Sequence, residues 1–312
     1  MKFKATIVAV LIAAGLAMPG HAQDTMAPRA APDLGAICGA EGCMWEKVAT
    51  CDGFIEGINF DSDGQLWMVG YFSGALLRVE GDTCVTVGTP QPGPNGAKFS
   101  PSGDFVSADN NAGLTKFDLE TGERTILYDT VDGEKLDGLN DLAFDPAGGL
   151  YVTRPRGSDF LNPTGKVFYV SPEEGAVPEL FHDGLIYPNG IAISANGERA
   201  YIAEFAANRI ISVPTPLTKN PYDPVHVLAR FSGGTGPDGL TVDAAGNIYV
   251  AHFLAGEVIV LDVNGIAYGT IRLPEGAGLW TTNLSIHNSY LYVTEAMKNE
   301  VWRVALNGDA VK

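Results

Sequence analysis

The feature that most constrains the fold of this chain is a repeat of about 43 residues that occurs six times. The aligned segments are EGINFDSDGQLWMVG from residue 56, PNGAKFSPSGDFVSAD from 94, LNDLAFDPAGGLYVTR from 139, PNGIAISANGERAYIAE from 188, PDGLTVDAAGNIYVAH from 237 and TNLSIHNSYLYVTE from 282. Their equivalent positions lie 39 to 49 residues apart. Self-similarity at this period is typical of repeat architectures such as propellers.

Each repeat has the sequence pattern of four short strands. In the fourth repeat, an apolar run at 191–193 precedes a glycine turn, and further runs follow at 200–203, 209–213 and 225–228. Short runs rich in Val, Ile, Tyr and Phe between Gly, Asp and Asn indicate β-hairpins. The sequence therefore predicts an all-β, six-bladed β-propeller with four antiparallel strands per blade.

The ends of the repeat array indicate how the ring closes. The last repeat supplies only three strands, and the segment 45–50 precedes the first repeat without a partner there. We predict that 45–50 pairs beside 301–305 as the missing outer strand, so that no long edge stays free. Residues 45–312 would then form a single domain.

The N-terminal residues have the pattern of an export signal. Two lysines precede an apolar stretch at 5–18, which is shorter than the roughly 20 residues that span a bilayer. Small residues at 20 and 22 suit cleavage after residue 22. We predict a signal peptide at 1–22, a lead-in at 23–44 that is flexible over its first part, and a bacterial periplasmic or secreted protein; a retained membrane anchor is the alternative.

Charge and composition exclude some classes of partner. The chain has 20 Lys and Arg against 37 Asp and Glu, a net charge of −17, and 46% of its residues are hydrophobic. It can bury a core, but it lacks the basic surface that nucleic acids or anionic membranes attract. We expect a monomer that binds a small-molecule substrate and, once the signal is cleaved, neither nucleic acid nor membrane.

All four cysteines fall within one stretch of 47 residues. In an oxidising compartment they predict two disulfides, for which three connectivities exist. We favour Cys38–Cys43 and Cys51–Cys84. A zinc site is the alternative, although no C-x-x-C pair is present.

Propeller topology places two sets of polar residues on one face. The first strand of a blade leaves this face and the second returns to it. Residues at the start of the first strands would therefore surround the channel: Glu56, Asn95, Asn140, Asn189, Asp238 and Asn283. Residues just after the second strands would lie at its mouth: Asp109, Arg154, Glu204, His252 and Glu295.

The channel set is rich in oxygen donors. Glu56, Asn140, Asn189 and Asp238 offer carboxylate and amide oxygens, which Ca²⁺ prefers as ligands. Mg²⁺, Mn²⁺ and Zn²⁺ are alternatives. Asn-Gly and Asp-Gly also occur simply as turn residues, but turn chemistry does not call for a glutamate at position 56.

The motifs EG at 56–57, LND at 139–141, PNG at 188–190 and PDG at 237–239, in this order, resemble the senescence marker protein/gluconolactonase/luciferin-regenerating enzyme family. The resemblance covers residues 45–306 and implies a six-bladed propeller hydrolase with a divalent metal in its channel. It implies Glu56, Asn189 and Asp238 as metal ligands and Asp238 as general base. Asn140 would contact the substrate or a metal-bound water.

The resulting functional prediction is a metal-dependent hydrolase of a lactone or related ester, with Asp238 and Asn140 as catalytic residues. Hydrolysis of a phosphotriester is a variant of this prediction. The predicted substrate-binding residues are Asn95, Asp109, Arg154, Glu204 and His252. Arg154 would either hold a substrate carboxylate or form a salt bridge, and His252 is an auxiliary acid or base or a polar rim residue.

Two segments depart from the family pattern and leave the substrate open. The first motif reads Glu-Gly-Ile instead of Glu-Gly-Pro, and the segment 153–157 reads Thr-Arg-Pro-Arg-Gly where family members often have Thr-Asp-Pro-Pro. A non-catalytic propeller that binds a ligand or partner is the alternative function.

Overall fold

A computed structural model describes residues 33–39 and 41–308. The predicted signal peptide and the first ten residues of the lead-in lie outside this range. The elements in chain order are α1 (Leu34–Cys38), β1 (Trp45–Thr50), β2 (Ile55–Phe60), β3 (Leu66–Gly70), β4 (Leu76–Glu80), β5 (Thr83–Val87), β6 (Pro94–Phe99), β7 (Phe105–Asp109), β8 (Gly113–Phe117), β9 (Arg124–Tyr128), β10 (Thr130–Val131), β11 (Glu134–Lys135), β12 (Leu142–Phe144) and β13 (Leu150–Arg154). They continue with β14 (Gly165–Val170), β15 (Glu179–Leu185), β16 (Pro188–Ile193), β17 (Arg199–Glu204), a 3₁₀ turn (Phe205–Ala207), β18 (Arg209–Pro214), β19 (His226–Arg230), β20 (Gly236–Val242), β21 (Ile248–Phe253), β22 (Glu257–Leu261), β23 (Ala267–Arg272), β24 (Thr281–His287), β25 (Tyr290–Glu295) and β26 (Glu300–Ala305).

The strands form an all-β, propeller-like fold. Strands β6–β9, β12–β15, β16–β19 and β20–β23 each make a four-stranded antiparallel sheet in sequence order. A further sheet has the order β2-β3-β4-β5-β1-β26-β25-β24, and β10 pairs with β11. The first strands β2, β6, β12, β16, β20 and β24 contact one another in succession, and β24 contacts β2.

Strand β1 joins the two ends of the chain. It pairs antiparallel with β26, so that Trp45 lies opposite Val304 and Ala49 opposite Val301. The predicted pairing of 45–50 beside 301–305 is therefore confirmed. Strand β1 also touches β5 through a single parallel bridge between Thr50 and Thr83.

Residues 34–38 of the lead-in are more ordered than the sequence predicts, because they form helix α1. The side chain of Asp33 caps this helix by accepting a hydrogen bond from the Gly35 backbone N–H at 2.7 Å. Ile37 is 1% exposed and packs in a hydrophobic cluster with residues of β21, β22 and β25. A five-residue helix has too few turns for its period to be detected in the sequence, and its stability comes from this packing.

Both predicted disulfides are confirmed. Cys38 is bonded to Cys43 and Cys51 to Cys84, with Cα–Cα distances of 5.0 and 4.9 Å. The first closes the segment after α1, and the second ties the chain after β1 to β5.

Aspartates organise the turns between first and second strands. Asp145 Oδ1 accepts hydrogen bonds from the backbone N–H groups of Ala147 and Gly149 at 2.9 and 2.8 Å. Gly148 in the same turn has a φ of 92°, which few other residues adopt. These Asp turns explain the recurring Asp/Ser-x-x-Gly signal of the repeats.

Most of the core lies between neighbouring sheets. Between the β12–β15 and β16–β19 sheets, for example, Tyr151, Ile191 and Ile202 are fully buried in one cluster. Equivalent clusters fill the other intersheet spaces, so each sheet is held by its neighbours and the inner strands have fixed positions.

Candidate functional site

The inner strands carry a recurring irregularity at the candidate site positions. The register of β2 shifts between Glu56 and Asn59 where it pairs with β3. Strand β16 shifts between Pro188 and Ile191, and β20 shifts between Pro237 and Leu240. Such bulges change the direction of side chains and are frequent next to active sites. Here they contain Glu56, Asn189 and Asp238.

Sterics explain why a glycine follows each of these residues. Gly57 has a φ of 60°, and a Cβ there would lie 2.6 Å from the backbone nitrogen of Ala97 on β6. A Cβ on Gly190 would lie 2.1 Å from the backbone oxygen of Asp238. The x-Gly motif therefore lets neighbouring inner strands approach closely while the preceding side chain enters the channel.

Five predicted residues come together in one cavity of about 160 Å³. Glu56, Asn95, Asn189 and Asp238 are only 6–8% exposed, and Asn140 completes the polar lining. The structure thus brings together all four predicted metal ligands, while their roles as ligands stay predictions.

Burial and neighbouring acids raise the pKa of both carboxyl groups of this cavity. Burial, followed by the charge of Asp141, raises the pKa of Glu56 to about 8. Burial and then the charge of Glu56 raise the pKa of Asp238 well above its usual value. Asn283 Nδ2 donates a hydrogen bond to Glu56 Oε2 at 3.3 Å. Burial is the largest cause for both groups, so their ionised forms are disfavoured in the protein alone.

Asp141 is a residue that the sequence analysis missed. It is 1% exposed, and burial raises the pKa of its carboxyl group. Its Oδ2 accepts a long hydrogen bond of 3.4 Å from the Ile191 N–H, whereas its Oδ1 is buried without a hydrogen-bond partner. The signal was present in the LND motif, where an acid stands at the place that glycine occupies in four of the other repeats.

Lys98 provides the positive charge nearest to these acids. Its Nζ donates to the backbone oxygen of Leu284 at 3.2 Å. Its charge lowers the pKa of both Glu56 and Asp141, although burial is the larger effect on each. The lysine lies on β6 after Asn95 and lines a second cavity of about 330 Å³.

Arg154 is held by an acid outside the cavity. Its Nε donates to the backbone oxygen of Asp137 at 2.7 Å, and its Nη2 lies 3.2 Å from Asp137 Oδ1. Arg156 pairs with the same carboxylate. Arg154 was expected either to hold a substrate carboxylate or to form a salt bridge, and the structure contains the salt bridge.

The other predicted mouth residues also have partners outside the cavity lining. Asp109 is fully buried and pairs with Arg124. Glu204 pairs with Arg209 and accepts a hydrogen bond from the Ile186 N–H at 2.8 Å.

His252 is a buried residue and not a rim residue. It is 0% exposed, and its Nδ1 and Nε2 lie 3.1 Å from Glu257 Oε1 and Asn208 Oδ1. Arg154, Asp109, Glu204 and His252 therefore hold loops at this end of the channel, and only Asn95 of the predicted substrate-binding set lines the cavity.

Aromatic side chains complete the cavity, and the sequence analysis did not identify them. Each lies immediately before a first strand, at the end of a second strand or directly after it. They are Phe54, Tyr71, Tyr187, Phe205 and Phe253. The sequence could have indicated these aromatic residues, because they stand at equivalent positions in several repeats.

Two features are absent from residues 33–39 and 41–308, namely a cluster of His, Cys, Asp or Glu side chains for a metal ion and a membrane-spanning helix. This range contains no cluster of three or more His, Cys, Asp or Glu side chains arranged to hold a metal ion, since the predicted ligand set relies on amide oxygens. It also contains no helix whose length and hydropathy would let it cross a bilayer.

Curated relatives of the chain are described as lactonases. The chain is 29% identical over 246 residues to "Lactonase drp35" of Staphylococcus aureus (strain USA300), which covers 74% of this chain and 73% of the relative. It is 26% identical over 273 residues to the protein of the same name in Staphylococcus haemolyticus, with 82% of each chain covered.

Solved structures share the fold. One described as a gluconolactonase from Xanthomonas campestris superposes with a TM-score of 0.75 at 20% identity, covering 88% of this chain and 92% of that one. One described as a calcium-binding protein, regucalcin, from Agrobacterium tumefaciens has a TM-score of 0.66 at 23% identity, covering 84% and 97%. Residues 39–296 match the family described as the SMP-30/gluconolactonase/LRE-like region, and the chain belongs to this family.

Proposed function

We propose that this protein is a metal-dependent hydrolase of a lactone or related ester, and that the reaction takes place in the 160 Å³ cavity. The observation that carries the proposal is the convergence of Glu56, Asn140, Asn189 and Asp238 on this one cavity. Membership of a family whose curated relatives are described as lactonases supports the same reaction class.

The side chains present fit a divalent cation. The cavity offers carboxylate and amide oxygens, which suit Ca²⁺ better than the softer Zn²⁺. The raised pKa of Glu56 indicates buried acidic groups that a cation would stabilise in their ionised form. The buried Asp141 Oδ1 without a hydrogen-bond partner is a further acceptor beside the site. When bound, such a cation would polarise a lactone carbonyl and lower the pKa of water.

The protein's own residues would perform the remaining steps. Asp238, once ionised, accepts at a carboxylate oxygen the proton of the water that attacks the carbonyl carbon. It returns this proton to the ring oxygen as the acyl C–O bond breaks, so that a hydroxy acid forms. Its hydrogen bond with Asn189 lowers its pKa and restricts its orientation. Asn140 offers an amide to hold the substrate, and Asn95 lines the same cavity. No serine nucleophile is required.

We also infer that the propeller has six blades. The eight-stranded sheet would then consist of two blades, β2–β5 and β24–β26 with β1. The inference is supported because a single parallel bridge, Thr50–Thr83, links the two halves. The six first strands that follow one another in a closed order agree with this number.

Export, a monomeric state and a small-molecule substrate complete the proposal. Two disulfides form and persist in oxidising compartments, which supports a periplasmic or secreted location. Edman sequencing of protein recovered from a bacterial periplasm should start at residue 23. A mature chain that still begins at residue 1 would contradict the signal peptide.

The test of the reaction combines elemental analysis of the purified protein with a lactone panel, measured with and without chelator. We expect one bound divalent ion and hydrolysis that chelator abolishes and Ca²⁺ restores. Asp238→Asn should remove turnover, and Glu56→Gln should weaken metal binding, without loss of folding. The exposed turn variant Asp63→Asn is the matched control.

Three results would contradict the proposal in different ways. Unchanged metal content and activity in both site variants would place the site elsewhere. Turnover of phosphotriesters alone would replace the lactone with that variant substrate. Binding of a ligand without any turnover would support the non-catalytic alternative.

A further inference from the structure

Six aromatic rings form a continuous chain of contacts at one end of the channel. We call this set the aromatic arc; in contact order it consists of Tyr71, Phe54, Trp280, Phe253, Phe205 and Tyr187. Neighbouring ring centroids are 5.7–6.1 Å apart along the whole arc. These are the separations of edge-to-face and offset aromatic pairs. Five of the six rings line the cavity with Glu56 and Asp238.

The arc is not part of the hydrophobic core. None of its members belongs to the buried clusters between the sheets of the described chain. Tyr187 is 37% exposed, and the other rings are half-buried. The adjoining Phe72, which contacts Phe54 and Tyr71, is 72% exposed. A contiguous apolar surface that stays accessible beside a polar cavity is typical of a ligand-binding surface.

Equivalent positions elsewhere show that the fold does not require aromatic residues here. The Tyr71 N–H bonds the Phe54 oxygen at 2.8 Å, and the Phe205 N–H bonds the Tyr187 oxygen at 3.0 Å. Between β6 and β7 the same backbone contact joins Asn110 to Gly93 at 2.7 Å. The backbone contact that closes these hairpins therefore forms equally well with Gly and Asn. The presence of aromatic rings at these positions needs another explanation.

Another cavity next to the arc differs in chemistry. Asn110, Gly138 and Arg156 line it, together with Tyr187 at the end of the arc. In contrast, the residues that line the 160 Å³ cavity include neither Lys nor Arg. The arc offers extensive apolar contact, and its own hydrogen-bonding groups are two tyrosine hydroxyls and one indole N–H.

We propose that the aromatic arc selects substrates by an apolar group attached to the lactone ring. This inference rests on the proposed lactone hydrolysis and names its substrate class. An alkyl or aryl substituent can pack against the arc while the ester group lies at Asp238 and Asn140. A polyhydroxylated sugar lactone would bring several hydroxyl groups against ring faces that offer few hydrogen-bond partners, and it would lose their hydrogen bonds to water.

The test uses three δ-lactones that share the reacting ring: δ-decalactone, with an alkyl chain, unsubstituted δ-valerolactone, and glucono-δ-lactone, with hydroxyl groups. In the Ca²⁺-loaded protein, we expect kcat/KM to be highest for δ-decalactone and at least about tenfold lower for glucono-δ-lactone. Phe205→Ala and Phe253→Ala should each lower kcat/KM for δ-decalactone by about tenfold and change δ-valerolactone much less.

Two controls separate the apolar contact from general damage. Phe205→Leu keeps an apolar group and should retain most of the δ-decalactone activity. Tyr222→Ala alters an aromatic residue that is 89% exposed in the β18–β19 connection and should leave all three substrates unchanged. Equal melting temperatures would show that the arc variants fold.

The outcomes distinguish this inference from the function on which it rests. If glucono-δ-lactone is hydrolysed as well as δ-decalactone, or if the arc variants lose activity equally on all lactones, the arc does not select the substrate, although lactone hydrolysis stands. If none of the three is hydrolysed, the proposed function fails and the inference fails with it.

Discussion

At the scale of single residues, the candidate site depends on carboxyl groups that contact residues of other repeats. Asp141 directly follows Asn140, yet its importance arises from packing against β16, where Ile191 contacts it. Its neighbour Gly96 has to be glycine, because a Cβ there would lie 2.2 Å from Asp141 Oδ1. The Asp141 carboxylate is therefore closely enclosed, and its charge acts on Glu56 and Asp238 of the cavity.

We predict that Asp141→Asn weakens Ca²⁺ binding by about 10- to 100-fold, since groups that support a metal site have effects of this size. The substitution keeps the side-chain shape and removes one negative charge. Isothermal titration measures the affinity, with Asp63→Asn, on an exposed turn, as control. An unchanged affinity in Asp141→Asn would show that this charge does not contribute to metal binding.

Arg154 provides a second prediction at this scale. Because its guanidinium holds Asp137 in the segment before Asn140, Arg154→Met should lower the free energy of unfolding by about 1–3 kcal/mol. It should also reduce kcat/KM equally for a carboxylated and a neutral lactone. Arg156→Met removes a 57% exposed partner of the same acid and should cost less stability.

Urea denaturation and the two substrates together decide between the roles of Arg154. A selective rise in KM for the carboxylated lactone, with stability unchanged, would instead assign Arg154 to substrate binding.

At the scale of elements, the hairpin is the unit that the sequence encodes most clearly. Alternating apolar runs and Asp-based turns are local, so first and second strands could be predicted in every repeat. The bulges in inner strands such as β2 and β16 were not predicted, because they depend on how closely the next inner strand approaches Gly57 and Gly190.

The closing strand gives a prediction about stability. A chain that starts at Cys51 lacks β1, so it leaves one edge of β26 unpaired and uncovers Val301 and Val304, both fully buried. Relative to a chain that starts at Asp33, we expect its melting temperature to fall by about 10 °C or more. Both chains keep the Cys51–Cys84 disulfide. Equal melting temperatures by calorimetry would mean that β1 does not close the ring.

At the scale of the whole molecule, some acidic side chains in the described part of the chain are paired with arginines and others are not. The chain has a net charge of −17, and mouth acids such as Asp109 and Glu204 are paired with arginines. Burial and neighbouring acids instead raise the pKa of both Glu56 and Asp238, so a cation in the channel would stabilise their ionised forms.

A divalent cation that binds there should therefore stabilise the native protein. At about 100-fold excess of free Ca²⁺ over its Kd, linkage predicts a gain of about 3 kcal/mol. Thermal denaturation with Ca²⁺ and with chelator measures this gain. Glu56→Gln and Asp238→Asn should abolish the difference, whereas Asp63→Asn should retain it. A Ca²⁺ effect of the same size in all variants would point to a cation site elsewhere.

Much of the fold and part of the site followed from the sequence. The repeats predicted the strands, the pairing of β1 with β26 and a cavity that unites Glu56, Asn95, Asn140, Asn189 and Asp238. The sequence did not indicate α1, which is only five residues long, or the partners of the mouth residues. Asp137 lies 17 residues before Arg154, and Asn208 lies 44 residues before His252.

The sequence by itself determined the properties that repeat along the chain: hairpins, their turns, the order of the strands and the face to which each x-Gly residue belongs. These follow from local periodicity and turn chemistry, which each repeat contains in full. Only the tertiary structure decided which side chains meet across the channel, that Asp141 joins the site, and that six rings form the aromatic arc. Such contacts connect different repeats, and their geometry depends on how neighbouring sheets pack.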